Sequence, residues 1–206
     1  SWILRRAQGT PPGSEQVIES VKSVFGNPKL RRVVVALRVP LTIVVLVLLL
    51  PLLMREWLPI GFAVSMAGLA IQLWCFAALD KNSDLAARGP YALVRNPMYL
   101  GRFFIIGGFL LLLGQPWILL PYAVGYWLYM DSRVGREETR LRQLFGESYR
   151  RYCEQVRRFV PGLPPAGQPV AVWSWTLFRQ NHGWVNAVLT LAVWAVVAVW
   201  LQFRPL

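Results

Sequence analysis

The chain has 206 residues, 55% hydrophobic and 16% charged, with 22 Lys+Arg against 10 Asp+Glu for a net charge of +12. Its mean hydropathy is positive and apolar runs recur at bilayer length, which indicates a polytopic membrane protein. His182 is the only histidine, and Cys75 and Cys153 have neither metal-ligand nor disulfide-framework spacing. His-based triads, HExxH zinc sites and di-histidine metal centres are therefore excluded, and no metal is expected.

Residues 1–32 are polar and basic, and too few apolar residues precede the first Gly and Pro for a cleavable signal to be expected. The run from Val33 to Met54 carries only Arg38, close enough to its start to reach the headgroups, and reads as a first span. Pro59 to Leu79 is a charge-free second span, with Gly61, Ser65, Ala67 and Gly68 as small surfaces for helix packing and Gln72 as its most polar member. Phe103 to Met130 is also charge-free, but at about 42 Å as a helix it is too long for one upright crossing. Gly114, Gln115 and Pro116 predict a break, giving a hairpin of two short helices, roughly Tyr99–Leu113 and Trp117–Val134. Trp184 to Phe203 is the last span, and Trp57, Trp117, Trp184 and Trp200 fall at span ends as interfacial anchors do.

Charge supports the hairpin. Segments 1–32, 80–97 and 133–183 hold 6, 3 and 9 Lys+Arg, and five spans place all three on one face. By the positive-inside tendency that face is cytoplasmic, and a basic excess confined to loops points to anionic lipid headgroups as partners, not nucleic acid. Phe145, Tyr149, Tyr152, Val156 and Phe159 recur at steps of four and three. They predict an amphipathic cytoplasmic helix, ended by Pro161, that either anchors to lipid or closes over a site. The expected fold is thus all-α: a polytopic integral membrane helical bundle of about five spans, including a short helical hairpin, with a cytoplasmic amphipathic helix.

The stretch RGPYALVRNPMYLG, residues 88–101, interrupts the apolar runs. Gly89 and Pro90 predict a turn, Pro97 presets the first turn of a helix, and Asn96 is held out of the α region near an N-cap position. Turn chemistry does not account for Tyr91 and Tyr99, nor for the acidic pair Glu137 and Glu138 on the same membrane face. A helix N-terminus, two aromatic hydroxyls and two acids suit a ligand bearing both a carboxylate and a cation.

GPYALVRNPMYLG followed by EETRLRQLFGESYRRYCEQVRRFVP resembles the isoprenylcysteine carboxyl methyltransferase family in its bacterial branch, related to the phospholipid N-methyltransferases. The resemblance covers roughly residues 80–161; WSWTLFRQNHGW and the last span are more loosely similar to the tails of some bacterial members, and residues 1–78 match only as hydrophobic spans. It implies an enzyme that uses S-adenosylmethionine from the cytosol and a lipidic methyl acceptor from the bilayer. Tyr91 falls on the family's GxY element and Asn96, Pro97, Met98 and Tyr99 on its RHPxY signature, which line the cofactor pocket; Leu85 and Ala86 fall on a preceding cofactor loop. Glu137, with Glu138 beside it, matches a cofactor-contacting acid, and Arg133 matches an arginine that meets the acceptor, the residue to which a catalytic role is assigned. Asn96 stands where histidine is commoner, keeping a donor and an acceptor but losing the titration.

On this reading residues 1–32 form a basic cytoplasmic segment, 33–79 two spans, 80–161 the methyltransferase-like core, 162–183 a linker and 184–206 the last span. The acceptor is a lipid carboxylate such as an isoprenyl-cysteine, which is ionised at neutral pH and needs alignment more than a general base. Alternatives are an aminophospholipid N-methyltransferase, an NADPH-dependent sterol-type reductase, which shares an RHPxY-like element, and a non-catalytic lipid-binding protein.

Overall fold

The computed structural model describes residues 44, 47–80 and 87–203, and every regular element among them is helical. The chain divides into two units, Ser1–Pro51 and Leu52–Leu206, and the second holds the helical bundle. The basic segment 1–32 and most of the first expected span lie outside the described residues.

The α-helices of the second unit are, in chain order, α1 Leu58–Ala78, α2 Pro97–Leu111, α3 Leu119–Gln155, α4 Trp175–Gln180 and α5 Gly183–Phe203. Two segments, Arg55–Ala78 with 24 residues and Gly183–Phe203 with 21, are long and apolar enough to cross a bilayer. On α5, Val188, Leu189, Leu191, Val196, Val199 and Phe203 are all exposed. An apolar surface of that extent fits lipid as its solvent.

The α1–α2 contact is set by the absence of side chains. Gly61, Ser65, Gly68 and Gln72 are buried in one stripe, whereas Ala67, grouped with them from the sequence, is out of phase and exposed. A methyl added at Gly61 would lie 2.5 Å from Gly108 O, and one at Gly68 would lie 2.5 Å from Gly101 O. The backbones approach so closely that only glycine fits. Polar members join across the same seam: Ser65 Oγ donates to Ile105 O at 2.8 Å and Gln72 Nε2 to Met98 O at 3.4 Å. Trp194 of α5 completes the packing, stacked on Phe109 at 4.4 Å and edge-on to Phe62 at 5.4 Å.

The expected break falls at Gly114 (φ 67°) and Pro116, between α2 and α3. The two helices then pair through tyrosines: Tyr122 Oη donates to Phe103 O at 2.9 Å and Tyr126 Oη to Tyr99 O at 2.7 Å. The hairpin's second helix was expected to stop near Val134, but the helix continues past it as far as Gly146, whose non-helical dihedrals (φ 49°, ψ −119°) kink α3 into two helices, residues 119–145 and 147–155. The intervening GREETRLRQL lacks proline and is rich in helix formers, so polarity alone does not end the helix. The amphipathic helix expected to reach Phe159 instead ends at Gln155, because Val156 is extended (φ −115°, ψ 129°). From there the chain turns back, held by Arg95 N–H donating to Arg157 O at 2.9 Å and Gly162 N–H to Leu93 O at 2.9 Å.

Residues 169–181, within the stretch expected as a linker, close over the C-terminal end of α1. Gly89 N–H donates to Pro169 O at 2.8 Å, Trp74 Nε1 to Val172 O at 3.1 Å, and Ser174 N–H to Ala77 O at 3.1 Å. Asn181 Nδ2 donates to both Phe76 O at 3.0 Å and Leu79 O at 2.7 Å, satisfying carbonyls that the end of α1 leaves open.

Candidate functional site

The site is assembled from the 89–99 turn and the middle of α3. Gly89–Ala92 is a buried 3-10 turn, and Gly89 takes φ 63°, a backbone state that favours glycine. It drives Tyr91 inward, where Tyr152 Oη donates to Tyr91 O at 2.7 Å. Burial holds the Tyr91 hydroxyl well above its ordinary pKa, so it remains a neutral donor.

Asn96 occupies the N-cap of α2 (φ −126°, ψ 55°), out of the α region as its place before proline requires, but its side chain makes no capping bond. Its Nδ2 instead donates to Arg158 O at 3.1 Å, tying the turn to the returning segment after α3. Pro97 is the first residue of α2 and fully buried.

Neighbouring acids have opposite fates. Glu138 is 7% exposed, with Oε1 3.2 Å from Arg95 Nη1 and Oε2 3.3 Å from Arg158 Nε. Arg158 also pairs with Asp131 through Nη1, and Arg95 Nη1 donates to Cys153 Sγ at 2.7 Å. These groups form a neutral chain of alternating charge that pins the turn and the 157–162 segment to α3. Glu137 is exposed and makes no ion pair among the described residues; its Oε2 accepts from Tyr99 Oη at 3.4 Å. Arg133, one turn earlier on α3, is exposed and stands beside the Tyr99 hydroxyl.

Tyr91, Asn96, Met98, Tyr99, Glu137 and Glu138 all line one cavity of about 500 Å³, a volume suited to a cofactor-sized ligand. Pro97 supports its wall without lining it, Arg133 lies beside it, and Leu85 and Ala86 fall outside the described residues. Sequence reasoning missed Leu79, Asp80, Arg95, Arg140, Leu141 and Leu144 as site residues, and all six share the lining. It found Phe145, Tyr149 and Tyr152 by their spacing while leaving open whether that face meets lipid or a site; they line the cavity, and Tyr149, Tyr152 and Val156 form a buried cluster with Leu141 and Cys153 packed against it. No group of His, Cys, Asp and Glu among the described residues is arranged to hold a metal.

Residues 60–148, which span α1, the turn, α2 and α3 as far as Ser148, match the phospholipid methyltransferase family. Among curated proteins the chain is 35% identical over 89 residues to a protein-S-isoprenylcysteine O-methyltransferase of Schizosaccharomyces pombe, covering 42% of this chain and 38% of that protein. It is 33% identical over 84 residues to the protein of that name from Tribolium castaneum, covering 40% of this chain and 30% of the relative. With protein-S-isoprenylcysteine O-methyltransferase A of Arabidopsis thaliana it shares 33% over 82 residues, 40% of this chain and 42% of the relative. The chain thus spans less than half the length of these relatives. No solved structure matches it. The phospholipid methyltransferase match and these relatives agree with the resemblance carried by GPYALVRNPMYLG and the EE segment.

Proposed function

We propose that the chain is an integral membrane, S-adenosylmethionine-dependent methyltransferase that methylates the carboxylate of a lipidic acceptor such as an isoprenyl-cysteine. The observation that carries this is the convergence of six residues, from two segments about 40 positions apart, on one cavity of about 500 Å³. Their chemistry fits the donor: an unpaired carboxylate at Glu137 beside aromatic and apolar walls suits a ligand with a positive charge and a base. When bound, S-adenosylmethionine supplies a methyl group activated by a positively charged sulfur. Glu137 holds that positive charge, with the Tyr99 hydroxyl fixing its carboxylate. Glu138, pinned between two arginines, keeps the cavity wall in register. Arg133, at the edge, takes the acceptor carboxylate, whose ionised state at neutral pH makes a general base unnecessary.

Five spans, a cytoplasmic cavity and core boundaries of 80–161 belong to the same proposal, supported by the distribution of Lys+Arg and by the turn at Gly114–Pro116. Cysteine labelling should find positions 90 and 140 on the same face; labelling from opposite faces would overturn this topology. The test of the reaction is transfer of radiolabelled methyl groups into a fractionated lipid extract, with a base-labile methyl ester as the expected product. Arg133→Lys should lower that transfer roughly ten- to a hundredfold while leaving cofactor affinity nearly unchanged, since lysine cannot grip both carboxylate oxygens.

The match to the phospholipid methyltransferase family supports a second reading, N-methylation of an aminophospholipid. A base-stable N-methylated product, or parental transfer rates in Arg133→Lys, would select it.

A further inference from the structure

The charges around the cavity do not all cancel. Arg95 and Glu138 face each other, and Glu138 is shared with Arg158. Glu137 and Arg140 both line the cavity, three residues apart on α3, and among the described residues neither has an ion pair, with each other or with any other group. Helical geometry sets their Cβ atoms about 5–6 Å apart on neighbouring tracks. The wall therefore offers an anion and a cation side by side, a pattern complementary to a ligand bearing a cation and a carboxylate.

We propose that Arg140 binds the α-carboxylate of the amino-acid portion of the donor, and so selects a sulfonium that carries an amino acid. This rests on the reading of the cavity as the S-adenosylmethionine site. Arg95 also lines the cavity, but its charge is matched by Glu138, with Nη1 shared between Glu138 and Cys153; Arg140 is the lining cation that has no ion pair among the described residues. Arg140 is exposed at the cavity rim, while Leu141 and Leu144 line the cavity beside it. Its planar fork matches a carboxylate bidentately, and a ligand seated against the apolar wall shields the pair from water.

The test is calorimetric titration of the whole chain, in lipid nanodiscs, with S-adenosylmethionine and with decarboxylated S-adenosylmethionine. The wild type should prefer the carboxylated ligand by about ten- to thirtyfold, the weight of one charge-assisted contact at a partly solvated site. In Arg140→Gln the preference should fall to within about threefold, with affinity for the decarboxylated ligand unchanged, which also reports an intact cavity. Arg140→Lys should restore part of the preference. If Arg140→Gln keeps the wild-type preference, or the wild type binds both ligands equally well, the assignment of Arg140 is wrong while the donor site stands. If the wild type binds neither, the donor site itself is wrong and the assignment falls with it.

Discussion

The seam between α1 and α2 and the chain of charges beside the cavity solve the same problem by opposite means. The seam brings backbones together by omitting side chains, at Gly61, Gly68, Gly101 and Gly108, and its stability comes from dispersion and from bonds to carbonyls that lipid cannot satisfy. The charge chain holds a turn and a returning segment to α3 with long side chains, Arg95, Glu138 and Arg158. The difference teaches how to tell scaffold from site: a charged group that is buried and matched is holding the fold, and one that faces the cavity unmatched is available to a ligand. Adjacent residues, Glu138 and Glu137, fall on opposite sides of that line.

The largest effect is expected from Glu138→Ala. Removing the shared carboxylate strands Arg95 and leaves Arg158 with Asp131 alone; breaking a buried pair in this way costs about 3–5 kcal/mol, read as a fall in the unfolding temperature in detergent without ligand. An unchanged unfolding temperature would move Glu138 from scaffold to ligand contact. Gly68→Ala strikes the seam, since the new methyl meets the backbone at Gly101 O and Ile105 N, and overpacking against groups that cannot swing aside costs about 1–3 kcal/mol. Equal stability of wild type and Gly68→Ala would show that the helices are not in such close contact.

A smaller loss is expected from Tyr126→Phe, which removes the bond from Tyr126 Oη to Tyr99 O and costs about 1 kcal/mol in the same melt. Glu137→Gln should change stability least, by less than about 0.5 kcal/mol as for other exposed positions, yet weaken S-adenosylmethionine binding roughly tenfold. Tyr99→Ala should do the same to binding by freeing the Glu137 carboxylate. Were both variants to bind the cofactor as the wild type does, the cavity would lose its claim to be the donor site.

Sequence alone determined the parts that local physics governs. The spans at Leu58–Ala78 and Gly183–Phe203 follow from uninterrupted apolar runs, the break at Gly114–Pro116 from backbone restrictions, and the start of α2 at Pro97 from its fixed φ. The residues of the GPY and RNPMY elements and the EE pair were legible because motif and spacing are sequence properties. Tertiary structure decided the rest. Whether α3 stopped at Val134 depended on helix propensity persisting through a charged stretch and on Gly146 farther on, not on hydropathy. Whether Asn96 capped its own helix or reached Arg158 O depended on a segment more than 60 residues away. The division of labour between Glu137 and Glu138 could not be read from two identical letters: a helix turns about 100° between neighbours, and only the placement of Arg95 and Arg158 decides which of the two carboxylates lining the cavity is neutralised and which is left unmatched.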